Sequence, residues 1–138
     1  MKEETLTAKK ILADNELSLV VIKQGEIYVS EKKGVFPVIE FLEDKREPLF
    51  GAVAADRVVG TAAAYLFIKG GISAVYGDVM SESAVSVLKT AGVPFSYGTL
   101  VPHIKNRRGD GLCPMEELCM NLDNPSEAYK KIKDFIGK

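Results

Sequence analysis

The chain has 138 residues, of which 46% are hydrophobic and 27% charged, and its net charge is -1. These values are typical of one globular domain, so we expect residues 1–138 to form a single domain. A near-neutral charge gives no basic surface for nucleic acid or for an anionic membrane. No apolar run reaches the roughly 20 residues of a bilayer-spanning helix, and the N-terminus lacks an apolar signal core. We therefore expect a cytoplasmic protein without nucleic-acid or membrane partners.

The first third of the chain predicts a helix, a β-hairpin and a second helix. Residues 3–13 carry a modest apolar stripe of helical period. Residues 17–22 form a nearly continuous apolar run, which is typical of a central strand. Gly25 suits a tight turn, and residues 27–30 alternate between apolar and polar as an exposed partner strand does. Residues 36–43 then predict a helix.

The central stretch predicts alternating strands and helices. Residues 51–55 favour a short strand, and Asp56 is placed to cap a helix over residues 57–69. Polar residues recur there every four positions, so the rest of that helix is expected to be buried. Gly60 lies in its middle, where only a close approach of a neighbour would justify a glycine. Residues 72–79 predict the next strand.

The following segments complete an α/β pattern. Ser81 is the expected N-cap of a helix that Gly92 and Pro94 bring to an end. Residues 95–100 predict another strand, and two further helices close the chain. Strands and helices that alternate at such short intervals imply right-handed crossovers and parallel pairing.

The two cysteines and the single histidine match no common metal-ligand pattern. Cys113 and Cys119 lie six positions apart, and the chain has no CxxC pair. A structural zinc site needs four protein ligands and a catalytic site three. We therefore expect reduced thiols, no metal and no cofactor.

The candidate binding residues follow from where α/β proteins bind ligands. Ligands lie beyond the carboxyl ends of the strands, near helix N-termini that favour anions. The predicted turns at residues 54–57 and 79–83 are two such places. The expected ligand-binding residues at these turns and in the later polar loop are Ala55, Arg57, Ser81, Glu82, His103, Arg107 and Arg108.

Most of these residues also have a simpler structural interpretation. Asp56 and Ser81 suit plain N-caps. Arg57 suits a surface ion pair, although a cation at a helix N-terminus is unfavourable and therefore favours a functional role. Arg107 and Arg108 suit a phosphate clamp or, alternatively, a solvated loop.

Two residues are candidates for catalysis, Asp56 and Cys113. A thiol at a helix N-terminus can have a lowered pKa, which would make Cys113 a nucleophile. Asp56 is the candidate base. Cys119 shares the apolar stripe of its helix and is expected in the core, and Glu116 is expected to complement the helix dipole.

The order of elements resembles the cytidine deaminase-like fold. In that family the two central helices open with Cys-Ala-Glu or His-Ala-Glu and with Pro-Cys-x-x-Cys. Here Ala54-Ala55-Asp56-Arg57 and Met80-Ser81-Glu82-Ser83-Ala84 stand near those places. The resemblance implies a three-layer α/β/α sandwich with a mixed sheet of about five strands. Because the zinc ligands of the family are missing, zinc-dependent deamination is not expected.

More closely, the chain resembles a small prokaryotic family of unknown function that shares this fold. The resembling stretches are residues 55–64, 100–104, 106–108 and 113–116. The preferred function is binding of a nucleotide-type or other anionic small ligand at the paired helix N-termini, without zinc. One alternative is a metal-independent enzyme that uses Cys113 or Asp56. The other is a non-catalytic scaffold that forms a homo-oligomer.

Overall fold

A computed structural model describes residues 3–106 and 108–137 and shows one mixed five-stranded sheet. The strands are β1 (Leu19–Lys23), β2 (Glu26–Ser30), β3 (Val53–Val59), β4 (Ala74–Ser81) and β5 (Phe95–Val101). The helices are α1 (Glu3–Asp14), α2 (Phe36–Glu43), α3 (Thr61–Lys69), α4 (Glu82–Thr90), α5 (Pro114–Cys119) and α6 (Pro125–Ile136). No helix in these two ranges is long and apolar enough to cross a membrane.

The strand order is β2-β1-β3-β4-β5. β1 pairs antiparallel with both β2 and β3, whereas β3, β4 and β5 run parallel to one another. The turn between β1 and β2 has φ values of 49° at Gln24 and 84° at Gly25, as a two-residue hairpin turn requires. The predicted hairpin, the parallel pairing and the mixed α/β sheet are therefore confirmed.

The helices cover the two faces of the sheet unequally. On one face, α1 packs on β1, β3 and β4, and its Ala8 and Leu12 belong to a small core that includes Val20 of β1. The helices that follow the hairpin share a second, larger core on the opposite face. Val21 of β1 and Phe67 of α3 belong to that core, so successive residues of β1 serve different faces, as strand geometry dictates.

The boundary between β3 and α3 differs from the sequence prediction. β3 continues through Val59, because Val58 pairs with Val79 of β4 in the parallel ladder. Asp56 therefore lies within a strand and is not a helix N-cap. Gly60 takes the N-cap position with extended backbone angles, and α3 begins at Thr61. Pairing with β1 as far as Asp56 and with β4 as far as Val59 outweighs the local preference of this stretch for helix.

The polar stripe of α3 contacts the C-terminal helices. Thr61 bonds to Glu116 of α5, and the Tyr65 hydroxyl donates to the backbone carbonyl of Leu122. Lys69 reaches the first turn of α6. Seven consecutive residues of α3 from Thr61 onward are buried, so the predicted burial of this helix is confirmed.

Candidate functional site

β3 and β4 end side by side, and each leads into a helix at the carboxyl edge of the sheet. Ser81 ends β4, and its hydroxyl oxygen accepts a hydrogen bond from the backbone N–H of Ala84 at 3.1 Å. The predicted N-cap at Ser81 is therefore confirmed. The partner helix N-terminus is that of α3, at Gly60 and Thr61. Two helix N-termini thus lie near each other as expected, but the first stands four residues beyond its predicted position.

Glu116 fills the space between these helix N-termini. Its side chain is only 2% exposed. One carboxylate oxygen accepts from the backbone N–H of Thr61 at 2.7 Å and from the Thr61 hydroxyl at 2.6 Å. The other accepts from the backbone N–H of Ile104 at 2.7 Å, and the Ser81 hydroxyl lies 3.5 Å from the first. This buried carboxylate is therefore held at the positive end of α3 by charge-assisted hydrogen bonds.

The sequence interpretation underestimated Glu116. It assigned the residue to the dipole of its own helix α5, but the carboxylate serves the N-terminus of α3. The signal available in the sequence was Thr61, a polar residue at the start of an otherwise apolar helix. Gly60 was also informative, because a Cβ atom there would lie 3.1 Å from both Glu116 Oε1 and Ile104 Cγ1. The predicted close approach at Gly60 is therefore confirmed, and Glu116 is one of the neighbours that approach it.

A cavity of about 290 Å³ lies beside Glu116. Its wall includes Asp56 and Cys113, so the structure brings the two catalytic candidates to one cavity. Val35 and Met115 contribute apolar surface, and Lys33 supplies a cation. The volume is just below the roughly 300–1,000 Å³ typical of small-molecule sites.

Asp56 is the buried acid of this cavity. Its side chain is 6% exposed. Burial raises the pKa of Asp56 to about 8, although hydrogen bonds from the backbone N–H groups of Arg57 and Val58 favour the charged form. The carboxyl group is therefore mostly protonated at neutral pH. A protonated carboxyl group offers one donor and one acceptor side by side.

Arg57 has a structural role at the end of α1. Its guanidinium donates to the backbone carbonyls of Leu12 at 2.6 Å and Asn15 at 2.9 Å. It also donates to the carbonyl of Leu17 at 2.9 Å and to the Asp78 carboxylate at 3.0 Å. The prediction that Arg57 stands at a helix N-terminus is wrong, because β3 continues past it. The cation instead meets a helix C-terminus, where the dipole favours it.

The other predicted binding residues are dispersed. Ala55 is buried in the core beneath α1, on the face opposite to the larger helical core. Glu82 is exposed in the first turn of α4. Arg108 is exposed, with its Nε 3.7 Å from an Asp110 carboxylate oxygen. Arg107, which the sequence also proposed as a ligand-binding residue, lies outside the described residues.

His103 is exposed and lines a second, more open cavity of about 650 Å³. This cavity shares Val58 and Ile104 with the first one, so the two adjoin. Lys105 is in its wall. We call the first cavity the inner cavity and the second the outer cavity; together they form one cleft. Lys33 lines the inner cavity, and His103 and Lys105 line the outer one.

The two cysteines differ in exposure. Cys113 is half-buried directly before the first residue of α5 and faces the first cavity. Cys119 is buried, as predicted, and burial raises the pKa of its thiol to about 11. Across residues 3–106 and 108–137, no three His, Cys, Asp or Glu side chains are grouped so that they could hold a metal ion.

Comparison with known proteins gives a family but no activity. Residues 7–136 match the model of a family described as a domain of unknown function, DUF1893. The fold is similar to the crystal structure of TM1506, a DUF1893 family protein from Thermotoga maritima, with a TM-score of 0.88 and 28% sequence identity. That similarity covers 97% of this chain and 91% of TM1506. The chain matches none of the curated proteins to which it was compared. Because the family model spans almost the whole sequence, this protein belongs to the DUF1893 family of unknown function.

Proposed function

We propose that this protein binds a nucleotide-type or other anionic small ligand at the carboxyl edge of its sheet, without zinc. The supporting observation is the 290 Å³ cavity that has the buried Asp56 in its wall. The cytidine deaminase-like form of the fold and the cytoplasmic location are further parts of this hypothesis.

The ring portion of such a ligand suits the inner cavity. Val35, Met115 and the small residues Ala62 and Ala63 give it apolar walls. A protonated Asp56 can pair with the donor–acceptor edge of a heterocycle, accepting one hydrogen bond and donating another. Apolar walls with few, well-placed polar groups are the usual composition of a small-molecule site.

The anionic portion suits the outer part of the cleft and not the helix N-termini. Glu116 already occupies the N-terminus of α3, and a second negative charge beside its carboxylate would be repelled. Lys33 in the inner cavity, with His103 and Lys105 in the adjoining one, can attract a phosphate or carboxylate. The proposal therefore moves the expected anion site outward from Ser81 and Glu82.

The test is a ligand titration of the wild-type chain and of one cavity-filling variant. Nucleosides, nucleoside monophosphates and inorganic phosphate are titrated separately and followed by thermal shift and calorimetry. We expect saturable binding of a monophosphate, with a stabilisation that rises with the logarithm of ligand concentration. Val35→Trp should abolish binding by filling the inner cavity.

Phe36→Trp is the matched control, because Phe36 is the exposed neighbour of Val35 and is absent from the cavity wall. The chain has no tryptophan, so each variant carries a single tryptophan whose fluorescence reports its folding. The proposal is overturned if no nucleoside, nucleotide or phosphate binds saturably to the wild-type chain. It is also overturned if Val35→Trp, shown to be folded, binds as well as Phe36→Trp.

A second candidate function is metal-independent catalysis in the same cavity. The observation in its favour is that the Cys113 thiol and the buried Asp56 line one wall, where they suit the roles of nucleophile and proton donor. Alkylation by iodoacetamide across pH 5–9 tests it, with the buried Cys119 as the internal control. A Cys113 that reacts at neutral pH no faster than a free cysteine would remove the thiol mechanism.

A further inference from the structure

The outer cavity is lined mainly by apolar side chains. Its volume is about 650 Å³, compared with about 290 Å³ for the inner cavity. Of its seven described lining residues, five are apolar and none is acidic; the five are Val58, Val79, Val101, Pro102 and Ile104. The other two, His103 and Lys105, are exposed. A phosphate gains nothing from an apolar wall, so a free nucleotide leaves most of this cavity unused.

The apolar wall results from a shift in the alternation of β3 and β4. Residues that share one face of a regular strand are an even number of positions apart. Ala54 and Val59 of β3 both belong to the larger core, although they are five positions apart. Val75 and Met80 of β4 belong to the same core with the same spacing. The alternation therefore shifts once in each strand before the carboxyl edge of the sheet.

After this shift, Val58 and Val79 point out of the larger core. The two residues pair in the parallel ladder, and each directly precedes a residue of that core. Successive side chains of a strand point to opposite faces, so both valines point away from the core. Val58 is 45% exposed there. Exposed apolar side chains that adjoin one another in a cavity wall are typical of a binding surface.

The outer cavity adjoins the inner one at a fixed segment of chain. Val58 and Ile104 line both cavities. The backbone N–H of Ile104 donates to the buried Glu116 carboxylate at 2.7 Å, which holds this segment in place. His103 and Lys105 flank Ile104 in the sequence, so the cationic or titratable groups stand where the two cavities meet. An anion at that position has an apolar wall on either side of it.

We propose that the ligand carries an apolar arm on its phosphate and that the outer cavity binds this arm. The ligand class is then a nucleotide-type phosphodiester, in which a nucleoside phosphate is esterified with an alkyl or aryl group. The ring lies in the inner cavity, the negative charge lies beside His103 and Lys105, and the arm lies on Val58 and Val79. This inference rests on the proposed function, because it names a further part of the same ligand.

The test compares phosphodiesters that differ only in the length of the arm. Adenosine and uridine 5′-monophosphates and their methyl, butyl and hexyl esters are titrated separately into the isotope-labelled wild-type chain and followed by NMR. The esters of one nucleotide carry the same charge, so only the apolar area changes. Each fully buried CH₂ group tightens binding roughly fourfold. We expect the hexyl ester to bind at least about tenfold more tightly than the methyl ester. It should also shift the side-chain signals of Val58 and Val79.

A pair of variants assigns this gain to the outer cavity. Val58→Thr replaces one methyl group of the wall by a hydroxyl and keeps the β-branched shape, and a second variant adds Val79→Thr. The ratio of hexyl-ester to methyl-ester affinity should fall in the first variant and approach one in the second. Val29→Thr is the matched control, because Val29 is a strand valine that is 47% exposed and lies in the wall of neither cavity. It should keep the wild-type ratio.

The outcomes separate this inference from the proposed function. If a monophosphate binds but its methyl and hexyl esters bind equally well, the inference is overturned and the proposed function stands. If neither the monophosphates nor any ester binds, both are overturned. A gain for the hexyl ester that persists in the double variant would also overturn the inference. So would signals of Val58 and Val79 that shift with protein concentration alone, since the wall would then be an interface between copies of the chain.

Discussion

Two buried carboxyl groups lie in the wall of one cavity and are stabilised in different ways. Glu116 is surrounded by hydrogen-bond donors from the start of α3 and from Ile104. Asp56 is almost as deeply buried, but its support comes from the two backbone N–H groups that follow it, and burial outweighs them. Glu116 is therefore a structural carboxylate that accepts hydrogen bonds from buried donors, whereas Asp56 is a protonated acid that faces the cavity. The difference shows that burial alone does not decide what a carboxyl group does.

The largest expected effect comes from removing the charge of Glu116. Glu116→Gln turns an amide N–H₂ toward donors that need an acceptor, so at least one buried donor loses its partner. We expect the free energy of unfolding to fall by about 3 kcal/mol in urea denaturation. Glu117→Gln is the matched control, since Glu117 is the exposed neighbour in the same helical turn. Equal losses in both variants would mean that the internal hydrogen bonds of Glu116 add nothing to stability.

Removing the charge of Asp56 should stabilise the protein, whereas removing that of Glu116 should destabilise it. Its folded-state pKa is raised above the ordinary value, so the folded chain binds one more proton than the unfolded chain between about pH 4 and pH 8. Stability should therefore fall as pH rises through that window, by up to about 1.4 kcal/mol per pH unit. Asp56→Asn, which stays neutral, should remove this slope and should be more stable than the wild type at pH 8.

The measurement for Asp56 is urea denaturation of wild type and variant from pH 5 to pH 8. Asp44→Asn is the control, because Asp44 is ion-paired with Arg46 and that partner lowers its pKa to about 2. The contribution of Asp44 to stability is lost only at acidic pH, so its variant should keep the wild-type slope in this window. A slope that persists in Asp56→Asn would assign the pH dependence to other groups.

The smallest effect concerns Ser81, which joins the Glu116 network only at its margin. Ser81→Ala removes the N-cap of α4 and should cost about 1 kcal/mol. In a double-mutant cycle with Glu116→Gln, we expect a coupling energy below about 0.5 kcal/mol, because the 3.5 Å between the Ser81 hydroxyl and the carboxylate is longer than an ordinary O–H···O hydrogen bond. Ser86→Ala, on an exposed position of the same helix, is the control. A large coupling energy would instead make Ser81 a full partner of Glu116.

The sequence predicts features that depend on neighbours along the chain. The hairpin turn at Gly25, the cap at Ser81 and the burial of α3 follow from local pattern, and all are confirmed. The end of β3 does not, because it depends on pairing with β4. Membership in a family of unknown function is also confirmed, whereas the ligand and the catalytic roles of Asp56 and Cys113 remain predictions.

The site depends more than the fold does on contacts between residues that are far apart in the sequence. Glu116 and Thr61 are 55 residues apart, and Arg57 reaches carbonyls that precede it by 40 residues or more. Gly60 and Thr61 indicate that a neighbour approaches the start of α3 closely, but nothing in the sequence identifies that neighbour as Glu116. A single sequence gives the chemical types of these residues but not their partners, since the partners are set by packing.

The position of Glu116 after all five strands in the sequence has a consequence for synthesis. The sheet and α1 to α4 are translated before α5, so the first turn of α3 is made well before its acceptor exists. Until α5 emerges from the ribosome, the N–H of Thr61 can be satisfied only by water or a solute anion. The cavity therefore acquires its final wall last, and a nascent chain halted before residue 116 should expose that turn to solvent.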